Sequence, residues 1–372
     1  MTVWSKQPFK TLYTLFFISQ LCVLIPISLL RYIPQASRPN ARWNLKQCVI
    51  RVVAQQLFIY YTKTQASGVS SVEAGHKRAK ARFALAEPAE ASLYTGVLAS
   101  GKAQPATVGG LWYPEGVSSE GAAADFKDKK VVLHFPGGAF VLAFGTDGIG
   151  HDISHVMQRG LGNSTMTFLA QYRVSKDAGT RFPAALQDLV TIYRHVLSMG
   201  VEPHNVILSG DSAAGNLVIG LLRYIEDVDS ARLPCPGGAM LWSPWVHVTP
   251  TAGRDYESSR NAPRDILTGD LLQWGADAYF PEGTVGEDVK PFISPLGHPF
   301  KTSVPLFIHA CGSEAFFDPV KGFAQEMSDT EGNRIRFHET EIAPHDLLMS
   351  FKGFGLDSEM EIAAKDAHDF FE

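Results

Sequence analysis

The residues able to do chemistry gather around one serine. Ser212 stands in the run Leu-Ser-Gly-Asp-Ser-Ala-Ala-Gly-Asn-Leu, with an apolar stretch before it and an amphipathic one after it. A serine at such a strand-to-helix turn reads as a nucleophile elbow. The turn is strained and tolerates only small neighbours, which Gly210, Ala213, Ala214 and Gly215 supply. A helix opening at the serine would aim unpaired N–H groups, and the positive end of its dipole, at a neighbouring oxyanion. The usual G-x-S-x-G spacing is altered, because Ala214 stands at the last glycine and Gly215 comes one later. The plainer reading is a serine capping a helix in a glycine-rich turn. A second turn of small residues, Gly137-Gly138-Ala139, follows Leu-His-Phe-Pro. Its backbone N–H groups could face a substrate carbonyl oxygen, each well-placed donor being worth about 3 kcal/mol in the transition state.

These turns need a rigid frame, and the hydrophobic pattern provides one. Short apolar runs at 131–135, 165–172, 205–210, 239–245, 304–311 and 335–341 read as strands. Between them lie amphipathic stretches, including one that starts at Pro183 and stops at Gly200. Strands alternating with helices predict an α/β fold with a mostly parallel, helix-covered sheet. The segment 246–291 breaks the rhythm and holds a helical run at 268–280, which reads as a cap over the sheet's edge. Upstream, a helical pattern starts at Trp43, and the following connector carries the basic run 76–82, read as a solvated face.

Taken in order, these motifs resemble the hormone-sensitive-lipase-like family of α/β-hydrolases over roughly residues 105–350. The family's H-G-G-G is matched by Pro136-Gly137-Gly138-Ala139, and its G-D-S-A-G-G by Gly210–Gly215. Further matches are Tyr172-Arg173-Val174, 182–188, Ser243-Pro244-Trp245 and 292–296. The resemblance implies an α/β-hydrolase fold and a Ser-acid-His triad that cleaves carboxylic esters. Glu314 falls on the family's acid position and Asp318 on a second aspartate four residues later, so both stand as candidates. Of the histidines beyond them, His338 lies inside a strand run and His368 in the polar C-terminal stretch. His345 follows the last strand in a loop, where a base belongs. Gly137, Gly138, Ala139 and Ala213 are the implied oxyanion donors. Pro136 replaces the motif's histidine, and the nearby His134 is two residues out of register. No metal or organic cofactor is expected. Catalytically silent receptors built on this fold, acyltransferases and amidases are the competing readings.

Composition narrows the class. Of 372 residues 45% are hydrophobic and 19% charged, and the net charge of −5 comes without a basic stripe, which argues for a packed core and against nucleic-acid binding. Four scattered cysteines, Cys22, Cys48, Cys235 and Cys311, contain no C-x-x-C pair. From Thr11 to Leu30 the chain carries no charge, and as a helix it would extend roughly 30 Å, about one bilayer core. A membrane anchor at 11–33 is therefore expected, with a signal segment or a helix of the soluble body as alternatives. Residues 34–105 are expected to form a helical cap segment and 106–372 the catalytic domain. Arg31, Arg38, Arg42 and Lys46 after the span favour a cytosolic catalytic side. Trp112, Trp274, Tyr279 and Phe280 favour a hydrophobic ester as substrate. The anchor and the altered glycine motif also resemble membrane-anchored fungal members, some of which act on secondary metabolites.

Overall fold

The computed structural model describes residues 2–67, 82–114, 126, 129–228 and 232–372; all of the basic run except Arg82 lies outside them. The chain opens with two antiparallel helices, α1 (Phe9–Arg31) and α2 (Leu45–Thr64). α1 is long and apolar enough to cross a membrane, a property that a signal segment near an N-terminus shares. α2 starts where Asn44 and Gln47 bond each other's backbone N–H in a capping box.

Among the described residues, eight strands form one sheet in the order β1-β2-β4-β3-β5-β6-β7-β8. The strands are β1 (Phe83–Ala86), β2 (Val108–Tyr113), β3 (Val131–Phe135), β4 (Met166–Gln171), β5 (Val206–Asp211), β6 (Gly238–Trp242), β7 (Leu306–Cys311) and β8 (Ile335–Thr340). β2 runs antiparallel to β1 and β4, and every other pairing is parallel. The central strands are buried along their whole length, as parallel strands covered on both faces must be. Alternate side chains feed two cores. Leu133, Leu208, Leu241 and Ile308 join α4 (Ala184–Ser198) and α5 (Ser212–Asp227) on one face. Val132, Ile207, Met240 and Phe307 join α3 (Asp147–Leu161) on the other.

The cap segment contains α6 (Ala252–Ser258) and α7 (Gly269–Tyr279), and α8 (Lys290–Ile293) leads back to the sheet. After β7 come α9 (Phe317–Ser328), then β8, α10 (Leu347–Phe354) and α11 (Asp357–Phe371). The sheet takes in residues from 83 onward, ahead of the boundary expected at 106. β1 and β2 carry weak strand signals, since Phe-Ala-Leu-Ala lacks β-branched residues and β2 contains Gly109-Gly110. Those glycines are a packing requirement. A Cβ on Gly110 would stand 2.4 Å from the Phe168 ring and 2.6 Å from the Leu169 carbonyl. Gly110→Ala should therefore cost about 1–3 kcal/mol through overpacking. Urea unfolding checks this: a lower midpoint at unchanged slope is expected, and a wild-type midpoint contradicts the account.

Candidate functional site

Ser212 sits where β5 turns into α5, at φ 51°. That left-handed conformation is costly for a residue with a Cβ. It lifts the hydroxyl off the sheet's carboxyl edge, the place where open α/β sheets bind ligands. There the Ser212 hydroxyl reaches His345 Nε2 at 2.9 Å, and His345 Nδ1 lies 2.7 Å from Glu314 Oε2. The other Glu314 oxygen accepts the Cys311 backbone N–H at 2.8 Å, which fixes the carboxylate in the turn after β7. Glu314 and His345 are buried, and the Phe316 ring forms a T-shaped pair with the imidazole, centroids 5.1 Å apart. Burial alone would lower the imidazole pKa, but the hydrogen bond and charge of Glu314 outweigh it, aided by Asp265 and Asp211. The net shift is upward from 6.5. Asp318 stands elsewhere: it is exposed in the first turn of α9 and pairs with Arg260 at 2.9 Å.

The glycine turn after β3 lies against the same serine. The Gly137 N–H donates to Asp211 Oδ2 at 2.8 Å, so of the four expected oxyanion donors this one is already engaged. The reason is proximity, because a Cβ on Gly137 would meet that oxygen at 2.4 Å. The N–H groups of Gly138, Ala139 and Ala213 have no acceptor among the described residues. Gly138 and Ala139 line one cavity with Ser212. The loop is pinned without the motif histidine. Tyr172 donates from its hydroxyl to the Pro136 carbonyl at 2.6 Å, which gives the Tyr-Arg-Val motif a structural role. Phe140 stacks on Tyr279 with centroids 3.8 Å apart and on Trp245 at 5.4 Å. From the cap, Gly275 lies so near that a Cβ there would stand 2.3 Å from the Ala139 carbonyl. His134 sits beneath, with Nε2 3.1 Å from Asp211 Oδ1 and Nδ1 2.9 Å from the Ser209 hydroxyl.

A cavity of about 330 Å³ opens above the serine. Its walls are chiefly apolar, with Leu57 and Phe58 from α2, Leu267, Leu271 and Leu272 from the cap, and Phe354 from α10. α2 thus walls the cavity together with the 246–291 segment, and none of the four aromatics singled out in the sequence, Trp112, Trp274, Tyr279 and Phe280, belongs to the lining. His338 is bonded to Asp366 at 2.8 Å, and His151 packs on Tyr113. Neither lines the cavity.

The sequence model of a family described as alpha/beta hydrolase fold matches residues 132–349, more than half of the chain. The chain belongs to this family. An acetyl-hydrolase of Streptomyces hygroscopicus is 28% identical over 217 residues, covering 57% of this chain and 66% of that protein. An esterase of Acinetobacter venetianus is 24% identical over 218 residues, covering 58% and 67%. The chain thus spans just under two thirds of the Streptomyces relative. Among solved structures, an esterase from the bacterial hormone-sensitive lipase family superposes with a TM-score of 0.61 at 16% identity, covering 88% of this chain and 99% of that one. An esterase of Pyrobaculum calidifontis gives 0.60 at 19% identity, covering 86% and 98%. At such identities the likeness is one of fold.

One residue of this site was not legible in the sequence. Asp265 is buried at the edge of the cap, where its Oδ2 accepts the Ala315 N–H at 2.8 Å. Its Oδ1 accepts the Ile266 N–H at 2.7 Å and the His345 N–H at 3.3 Å. It therefore ties the Glu314 loop to the His345 loop, and Arg51 and Gln55 of α2 hold its own carbonyl, each at 3.1 Å. No local pattern announces it, because two of its carboxylate's three partners are backbone groups 50 and 80 residues away. Asp346 is a second buried acid beside Asp211; burial, then the Asp211 charge, hold its pKa well above the ordinary carboxylate value, and its Oδ1 accepts the Met349 N–H at 3.3 Å. Asp265→Asn keeps the shape and removes the charge that helps raise the His345 pKa. kcat should fall about tenfold or more with KM little changed, since a misplaced base costs the chemical step. The acidic limb of the pH–rate profile should also move down. An unmoved limb would leave Asp265 a purely structural residue.

Proposed function

We propose that this protein hydrolyses carboxylic esters by acyl transfer through Ser212. The reading rests on one observation: an unbroken hydrogen-bond path from Ser212 through His345 to Glu314 at the base of an apolar cavity. His345 Nε2 takes the hydroxyl proton as Ser212 Oγ attacks the ester carbonyl carbon. The N–H groups of Gly138, Ala139 and Ala213 receive the resulting oxyanion. Glu314 stabilises the imidazolium, which returns the proton to the departing alcohol as the carbon–oxygen bond breaks. A water then attacks the acyl-enzyme, giving its proton to His345, and the acid leaves as Ser212 is reprotonated.

The apolar walls support a hydrophobic ester, and the Streptomyces acetyl-hydrolase relative supports a small acyl group on it. In this reading α1 holds the enzyme at a membrane, with the basic residues after it favouring the cytosolic side. The base acts in its neutral form, so activity must rise with pH through the His345 pKa and fade below it. Because that pKa is raised, the limb should lie above 6.5 in wild type. In Glu314→Gln burial dominates and the limb should drop below the ordinary value, with kcat reduced about 10³- to 10⁴-fold. Ser212→Ala should retain no burst and only background turnover. A pH–rate series on an acetate ester measures all of this. Full activity in Ser212→Ala would end the proposal.

A further inference from the structure

α1 is not a free rod standing off the domain. Its inward stripe, Tyr13, Thr14, Phe17, Leu21, Leu24 and Ser28, is buried or half-buried at helical spacing. At one end Tyr13 and Phe17 pack on Tyr60 of α2, while the Thr14 and Tyr60 hydroxyls are 2.9 Å apart. Beyond that end Thr2 bonds the Lys63 carbonyl and the Gln65 side chain. At the other end Arg38 ties the Tyr32 and Trp43 carbonyls together, and Trp43 donates from its indole to the Ile342 carbonyl. The opposite face of α1 is bare. Leu12, Leu15, Phe16, Ile18, Val23 and Ile27 are all more than half exposed. Exposed lysine and arginine flank this face, with Lys6 before it, Arg31 at its end and Lys46 beyond.

α2 is the plank between that bare face and the cavity. Ile50, Ala54, Leu57, Phe58 and Tyr61 form its cavity side. Among the lining residues only Leu57 and Gly353 are exposed, so they mark the open end. Leu57 is also one helical turn before Tyr60, the seat of α1, so the rim and that seat share an edge of α2. A helix docked along its whole length cannot cross a bilayer without carrying α2 with it. α2 in turn is fastened to the catalytic body by Arg51 and Gln55, whose polar groups would be costly in hydrocarbon. Lying in the interface satisfies both sides of the hairpin: the apolar face sinks among acyl chains and the basic ends meet anionic headgroups.

We propose that α1 lies in the plane of an anionic membrane surface and presents the Leu57 edge of the cavity to lipid, so that membrane-dissolved esters enter the site directly. This departs from the single pass expected of the sequence, and its substrate half rests on the ester-hydrolase reading above. The test uses the full chain with vesicles of phosphatidylcholine and phosphatidylserine. Flotation and maleimide labelling report on the membrane half without any turnover. Lys6→Cys and Arg31→Cys, each in a Cys22→Ser/Cys235→Ser background that leaves only the buried Cys48 and Cys311, should both be labelled from the enzyme's side by a membrane-impermeant maleimide. Labelling from opposite sides, or failure to float, overturns the proposal. The variant L15S/F16S/V23S/I27S, confined to the bare face, should lose flotation. It should keep wild-type turnover of a water-soluble acetate ester, which also shows that it folds. On a long-chain acetate ester dissolved in the vesicles its rate should fall about tenfold or more. Equal rates on the vesicle ester for wild type and variant overturn lipid entry. Wild type that floats yet cleaves neither ester overturns the ester reading and the entry route, leaving the in-plane helix standing.

Discussion

Ser212 is held in a backbone conformation that its own side chain opposes, and most of the site can be understood as the means of holding it there. A non-glycine residue at φ 51° costs of order 1–3 kcal/mol, which persists only where the surroundings over-determine it. β5 fixes one side through its pairing with β3 and β6, and α5 fixes the other. The Ser212 carbonyl accepts the Trp245 N–H at 2.9 Å, joining the elbow to the start of the cap. The neighbouring Asp211 accepts the Gly137 N–H, so the elbow and the glycine turn after β3 are held together.

The same control of buried charge runs through the rest of the site. Asp211, Asp265, Glu314 and Asp346 surround one imidazole, and all four are buried. Four ionised carboxylates could not share such a space. Backbone N–H groups hold Asp211, Asp265 and Glu314, while burial and the Asp211 charge raise the Asp346 pKa and so favour its neutral form. The result is an imidazole in a negative field that favours its cationic form, the state that the proposed proton transfer from Ser212 would produce. Aromatic stacking extends this order to the cap, from Tyr279 through Phe140, Trp245 and Phe316 to His345 itself.

The parts legible in the sequence were those governed by local pattern. β3 matches its predicted bounds, and β4 to β8 fall within three residues of theirs, because buried parallel strands are continuous apolar runs. The order of the motifs led to Ser212, Glu314 and His345, which the chain brings together. Contacts between distant segments were hidden. Gly137 has the spacing of an oxyanion donor, yet its N–H is turned to Asp211. Asp265 has no signature, since the groups it organises are main-chain atoms. The docking of α1 was equally invisible, for hydropathy measures the length of a helix and not what lies beside it.

The central claim is that one hydroxyl, at Ser212, carries the acyl group. Reaction with a serine-directed phosphonate followed by peptide mass mapping tests it most directly. The account predicts a single stoichiometric adduct on the peptide bearing Ser212, formed faster as His345 loses its proton. An unmodified Ser212, or an adduct on another residue, would contradict it.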